Sequence, residues 1–290
     1  MRPTIANRIA SCVLATLVFL LAPCSFGDST RFGLNTDLSY DSNFTRGSAA
    51  ADQKADWALS VEGYLAKSSM LGERSGLVLR AGARYTQLKD FKDVSNLALS
   101  GRAAYRVQPG SGYSAPWLEV AGDLRWLNHS DSALRDGWIG SLSASVGSHV
   151  TDRLRATLGG GLLERKSDHP VFTLSNAQIW ATVDYRTGIR NTLYGRITYE
   201  TGDQVFSAND PATQARLIPA SKVYDFDPAL GTVVYRMEGK SQFYDFGFNF
   251  PLKGNHALDL FARWYSSKSD YYGDKYDGYL LQLAYLFRFQ

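Results

Sequence analysis

Apolar and polar residues alternate in steps of two along most of this chain. In residues 76–87, "GLVLRAGARYTQ", Leu77, Leu79, Ala81, Ala83 and Tyr85 fall in one phase, and Arg80, Gly82, Arg84 and Thr86 in the other. Residues 97–107 repeat the pattern, with Leu97, Leu99, Ala103, Tyr105 and Val107 against Ser100, Arg102 and Arg106. So do 154–165, with Leu154, Ala156, Leu158 and Leu162 opposed to Arg155, Thr157 and Arg165. In 191–201, Leu193, Ile197 and Tyr199 oppose Tyr194, Arg196, Thr198 and Glu200. Side chains leave a strand on alternate sides, so period two predicts strands with one apolar face. Helical periodicity is absent.

Between the runs, the connections come in two sizes. Compact ones are "QPGSGYS" at 108–114, "SHVTDR" at 148–153, "RTGIRN" at 186–191 and "PLKGNH" at 251–256. Longer polar ones cover 45–55, 128–136, 166–173 and 266–277. Short and long connections that alternate are the pattern of a membrane barrel, with tight turns on one side and loops on the other. A β-sandwich would alternate as well, but it has no reason to sort its connections by length.

Aromatic residues support the membrane. Trp57, Trp126, Trp138 and Trp264 stand near loop-side strand ends in the apolar phase, and Trp117 near a turn-side end. Tyr85, Tyr105, Tyr185 and Tyr199 hold similar end positions. Amphipathic rings collect at the two headgroup levels of a bilayer, whereas a soluble core gathers them mid-strand.

Strand starts near Thr30, Asp56, Gly76, Val94, Ala115, Gly137, Arg153, Leu174, Arg190, Ser241, His256 and Asp277 predict an all-β transmembrane antiparallel barrel of about 12 strands. Residues 202–240 are long for a structureless connection. Their "KVYDFDPALGTVVYRM" reads either as a hairpin above the membrane or as an extra strand pair, which would raise the count to about 14.

The N-terminus sets the compartment. Arg2 and Arg8 precede an apolar run from Ile9 to Leu21, and small residues follow at Ser25 and Gly27. This is the anatomy of a secretory signal peptide, so residues 1–27 are expected to be removed and 28–290 to form the barrel. Both cysteines, Cys12 and Cys24, lie in that signal, and disulfides are excluded from the mature part. Net charge is only +3, too small and too dispersed for nucleic acid. No apolar run in 28–290 approaches the length of a spanning helix.

The closing stretch "YLLQLAYLFRFQ" puts Tyr279, Leu281, Leu283, Tyr285, Phe287 and Phe289 in one phase. It resembles the last strand of Gram-negative outer-membrane β-barrel proteins, which alternates apolar residues and ends on an aromatic. The resemblance implies location in the cell outer membrane, contact with outer-membrane lipid and recognition by barrel-assembly machinery. This chain departs from the pattern by one residue, Gln290 after Phe289. "LSYDSNFTR" at 38–46 also resembles the first strand of surface-lipoprotein-assembly-modifier-type and exopolysaccharide-associated barrels, over nine residues. The helical repeat domain of the former group is missing.

The polar phase carries the candidate chemistry. Arg80, Arg84, Arg102, Arg106, Arg125, Arg155, Arg196 and Arg263 are predicted to line the interior and bind anions, with Arg165, Arg186 and Arg288 in the same phase. Acidic residues there are fewer: Asp37, Glu119, Asp123, Asp184, Glu200, Asp245 and Asp259. A guanidinium fork matches carboxylate, sulfate or phosphate, and a positive pore favours anions. Two readings stand side by side. One is a channel or binding barrel for anionic solutes such as acidic saccharides or polysaccharide. The other is a salt-bridged interior in a structural, assembly or export-accessory barrel. A third, a lipid hydrolase, would rest on His129 beside Ser130 and Ser132 in "NHSDS", or on His169 in "SDHP". A base must reach its nucleophile and be oriented by a third group, and sequence neighbours on a strand point apart, so non-enzymatic use is the expectation. The triple glycine 159–161 lies inside a strand and is no phosphate loop. No metal-ligand cluster and no cofactor motif is visible.

Overall fold

In a computed structural model, which describes residues 29–188, 190–271 and 273–289, thirteen strands form one antiparallel sheet. They are β1 (Ser29–Asp41), β2 (Asp56–Gly72), β3 (Ser75–Leu88), β4 (Asn96–Val107), β5 (Trp117–His129), β6 (Gly137–His149) and β7 (Leu154–Ser167). There follow β8 (Leu174–Arg186), β9 (Thr192–Ala208), the short β10 (Val223–Asp227), β11 (Thr232–Pro251), β12 (His256–Ser269) and β13 (Lys275–Phe289). Twelve of them close a barrel: β1 to β9 pair in sequence, β9 pairs β11, and β13 returns to β1. β10 pairs β11 alone. Residues 1–28, which hold the expected signal peptide, and Gln290 lie outside the described residues.

Closure leaves no barrel edge unpaired, as a hydrocarbon environment requires. The seam joins Phe32 to Phe289 and Tyr40 to Leu281 in ten residue pairs. Outward positions are broadly exposed and apolar: Leu59, Leu142, Leu158, Leu162, Ile179, Ile197 and Phe246 each expose more than half of their surface. In water this would be an aggregation surface. In lipid it is the driving contact, and the protein is an integral barrel of the cell outer membrane. Trp57, Trp264 and Tyr279 expose 44, 44 and 47% at the loop end, and Tyr105 and Tyr185 mark the turn end. Trp117 departs from the expected girdle. It shares the phase of Glu119 and Asp123, is 7% exposed, and packs inside against His149 at 5.4 Å between ring centroids.

Barrel closure with both described termini at the turn end puts the long loops outside. Here the fold adds something the alternating pattern alone did not resolve. Residues 202–240 are neither a plain loop nor two more barrel strands. β9 and β11 run on past the barrel rim as a paired ladder, Gly202–Gly239 through Ala208–Val233. Beyond that ladder come the helix α1 (Pro211–Ala220), capped by Asp210 whose carboxylate accepts from the Thr213 amide at 2.8 Å, and then β10.

This excursion has two buried faces. On one, Phe206, Ala208, Tyr235 and Met237 pack with Leu217 of α1 and with Tyr265 and Tyr276 of β12 and β13. On the other, Leu230 and Val234 pack with Leu88, Val94, Val171 and Phe172. Leu88 ends β3 and Val94 lies in the β3–β4 connection. Six strands separate it from the β9–β11 junction in either direction, β4 to β9 one way and β11 to β13 plus β1 to β3 the other. The excursion therefore spans the full mouth of the barrel. Phe44 and Leu134, from the β1–β2 and β5–β6 connections, close the ring around it. We call this assembly the cap.

Polar fasteners hold the cap to the rim. Asp227, fully buried, takes the Arg135 guanidinium in a short ion pair, and Arg135 also lies 4.2 Å from the Phe172 ring centroid. Breaking a pair buried this way costs about 3–5 kcal/mol, because a charge is left without a partner. Arg236 donates to the Thr173 carbonyl at 2.6 Å, and His169 Nε2 meets Asp225 at 3.0 Å. Gly47 bridges Ser207 in parallel.

Candidate functional site: the barrel interior and its cap

Inward positions are set by the same alternation that sends the apolar phase to lipid. All eight arginines singled out from the sequence fall on the inward phase of their strands. Six of them pair with carboxylates. Arg84 meets Asp37 at 2.9 Å, Arg80 meets Glu62 at 2.7 Å, and Arg155 meets Asp184 at 2.7 Å. Arg102 reaches Asp123 at 2.9 Å and Glu119 at 3.4 Å, while Arg106 takes Glu119 at 2.6 Å. Arg263 grips Asp245 with two parallel hydrogen bonds of 2.7 and 2.8 Å.

Glu62 is the carboxylate that sequence reasoning missed. It sits in the inward phase of β2 with Ser60 and Tyr64, accepts from Asn35 at 3.0 Å, and neutralises Arg80. Its addition brings the interior closer to charge balance than the sequence count suggested. The signal was present, since Glu62 alternates with Val61 and Gly63.

Arg125 and Arg196 differ from the other six. Neither forms a close ion pair among the described residues, although Asp245, held by Arg263, lies opposite Arg196 across the β9–β11 ladder. Arg196 donates to Thr198 Oγ1 at 3.1 Å, and its guanidinium lies 4.8 Å from the Trp180 ring centroid. Trp180 lies flat against the wall because Gly159 stands beneath it: a Cβ there would meet the indole at 2.5 Å. The triple glycine thus makes room for an inward aromatic. Gly247 does the same for Tyr194, whose hydroxyl donates to Asp259 at 2.7 Å.

Exposure divides the interior by height. Side chains of Arg80, Arg84, Arg102, Arg106 and Arg155 remain 36 to 54% exposed, so water reaches them below the cap. At the loop end, Phe172, Phe206, Val234, Tyr235 and Met237 are at most 1% exposed. The barrel is covered by a packed cap at the loop end and wet below it.

The two histidines weighed for hydrolysis both serve the rim. His129 Nδ1 lies 2.9 Å from Asp136, which also accepts from the His129 amide at 2.7 Å. His169 faces Asp225 of β10. Neither ring hydrogen-bonds a serine hydroxyl among the described residues. The "DSNFTR" stretch is a clip in the β1–β2 connection. Arg46, at φ 62°, chelates Asp41 at 2.9 and 3.2 Å, and Asn43 ties Gly47 to the Asp277 carbonyl at 3.0 and 3.1 Å. Tyr265 donates to Asp41 and joins the clip to β12.

No protein-family model matches the sequence, and no curated protein is similar to it. Solved structures do show the fold. An outer-membrane channel from Pseudomonas putida F1 superposes with a TM-score of 0.60 at 10% identity, covering 91% of this chain and 97% of the channel. The KdgM porin in complex with disordered oligogalacturonate reaches a TM-score of 0.46 at 10% identity, covering 90% and 100%. An anion-selective porin from Comamonas acidovorans reaches 0.39 at 8% identity, covering 91% and 100%. The fold is that of the outer-membrane β-barrels.

Proposed function

We propose that the protein is a capped outer-membrane channel or binding barrel for anionic solutes, acidic saccharides in particular, whose outer mouth is gated by residues 202–240. The observation that carries this reading is the division of the interior. A packed cap lies over a water-reached lumen in which Arg125 and Arg196 form no ion pair with a carboxylate among the described residues. A free guanidinium beside an aromatic face, as at Arg196 and Trp180, suits a carboxylated sugar: the fork takes the acid and the ring takes the apolar face. The paired arginines hold the wall in shape and leave a modest positive field.

Planar-bilayer conductance tests it. Thr201 and Lys240 are paired neighbours at the rim, so replacing 202–239 by Asn-Gly closes that hairpin with a two-residue turn. The intact protein should conduct rarely, the uncapped variant steadily and with anion preference. Arg125→Glu plus Arg196→Glu in the uncapped barrel should reverse that preference. The packed cap specifically favours one rival, a non-conducting structural barrel, and an uncapped variant that inserts but never conducts would establish it.

A further inference from the structure

The barrel's outer wall carries a charged concavity of its own, away from the lumen. It has a volume of about 540 Å³ and is lined by Lys240, Lys268 and Lys275 with Gln242, Ser266 and Asp270. Lys240, Gln242, Ser266, Lys268 and Lys275 continue the outward phase of β11, β12 and β13, the phase that faces lipid lower down. Tyr244 and Trp264 lie next in that phase toward the membrane centre, their rings 5.3 Å apart between centroids. Gln242 and Ser266 are two residues beyond those rings, and Lys240 and Lys268 are four beyond. At about 3.4 Å per residue on tilted strands, the lysines stand roughly 10 Å outside the aromatic level. That is the outer edge of the interface, where a long lysine side chain can reach back to the headgroups of the outer leaflet.

Three amines converge there and their neutralisation is incomplete. Lys240 meets Asp270 at 3.5 Å and Lys275 meets Asp277 at 3.8 Å, and both pairs are open to water. Lys268 has no carboxylate partner among the described residues. Loose, solvated pairs of this kind yield readily to a stronger anion. We propose that this concavity binds the phosphorylated headgroup of an outer-leaflet lipid, with the lysine amines on its phosphate and the Gln242 and Ser266 side chains on neighbouring hydroxyls. Lysine suits the task as a compact charge with three donors, able to follow a headgroup that moves in its layer.

Native mass spectrometry of the folded barrel, released from neutral detergent, tests the site. The probes are diphosphoryl lipid A, the same lipid with its phosphates removed, and inorganic phosphate as competitor. The diphosphoryl lipid should be retained at least tenfold better than the dephosphorylated one. Lys240→Gln, Lys268→Gln and Lys275→Gln together should abolish that preference, and the three Lys→Arg changes should preserve it. Lys89→Gln plus Lys92→Gln, in a rim loop elsewhere, should change nothing. If the triple variant fails to fold, Lys268→Glu alone carries the test, since that side chain has no ion pair to lose. Equal retention of both lipids, or an unchanged preference in the lysine variants, overturns the proposal. Full displacement by millimolar inorganic phosphate also overturns it, assigning the site to soluble anions.

Discussion

The cap and the lumen are built from the same strands by opposite physics. In the cap, β9 and β11 bury both faces, and side chains from four rim connections pack against them as in a soluble core. In the lumen, the same two strands bury neither face in protein. One faces lipid, and the other presents Tyr194, Arg196 and Asn249 to the interior, with Asp245 buried under Arg263 and hydrogen bonds tying the face together. The cap is therefore a small hydrophobic unit that can loosen by itself. The wall is a closed ladder of backbone hydrogen bonds with cross-strand ion pairs on its inner face. The gating proposed above requires that the two parts can fail separately.

The sharpest way to break this comparison is to empty the cap. Phe172 is 1% exposed and contacts both cation and hydrocarbon, with Arg135 and Arg165 near its ring and Val171 beside it. Phe172→Ala should cost the cap about 3–5 kcal/mol, transfer and cavity terms together. Protease nicking within 209–231 should rise at least a hundredfold, while unheated protein keeps its fast gel mobility. Loss of that mobility would mean that cap and wall are one cooperative unit.

These two regions also differ in how far the sequence reveals them. The wall was legible because period two needs no knowledge of partners. Predicted starts at Asp56, Gly137, Leu174 and His256 coincide with the observed strands, and most others lie within two residues. Ser241 was placed nine residues late for β11, which begins at Thr232. Residues 232–240 do alternate, with Val233, Tyr235 and Met237 against Thr232, Arg236, Glu238 and Lys240, so period two alone does not separate a ladder above the rim, with Val234 facing one core and Tyr235 the other, from a strand in the membrane. Their partners, Leu88, Val94 and Phe172, come from loops far away in sequence, so the cap exists only once the barrel closes. The inward arginines were legible as a phase, their partners were not. Arg80 lies opposite Ala66 and pairs diagonally with Glu62, a choice made by register. Trp117 misled because its end position suggested a girdle, although its phase with Glu119 and Asp123 points inward.

A smaller effect separates the regions by pH. Burial in the cap, and then the nearby Tyr224 and Asp52, push the Tyr235 phenol from about 10 up to about 12. A raised phenol stays neutral in the folded cap while it ionises in the opened one. Its contribution is complete below pH about 10 and is lost as pH rises through about 12. Channel openings in planar bilayers should therefore become more frequent between pH 10 and 12, and Tyr235→Phe should delay that rise. An unchanged profile in Tyr235→Phe would assign any alkaline opening to the rim instead.

The smallest effect is expected in the lumen, and its smallness is the point. Arg102 and Asp123 are 39 and 40% exposed, and Glu119 stands 3.4 Å from the same guanidinium as a second partner. A solvated pair with a substitute at hand contributes at most about 1 kcal/mol. Asp123→Asn should leave thermal unfolding of the detergent-solubilised barrel within a few degrees of the unaltered protein. Removing one inward carboxylate should still raise the anion preference of the uncapped variant, because selectivity senses the charge and stability does not. A large loss of stability would show that the interior network holds the wall, and that the barrel and its contents are as interdependent as the two faces of the cap.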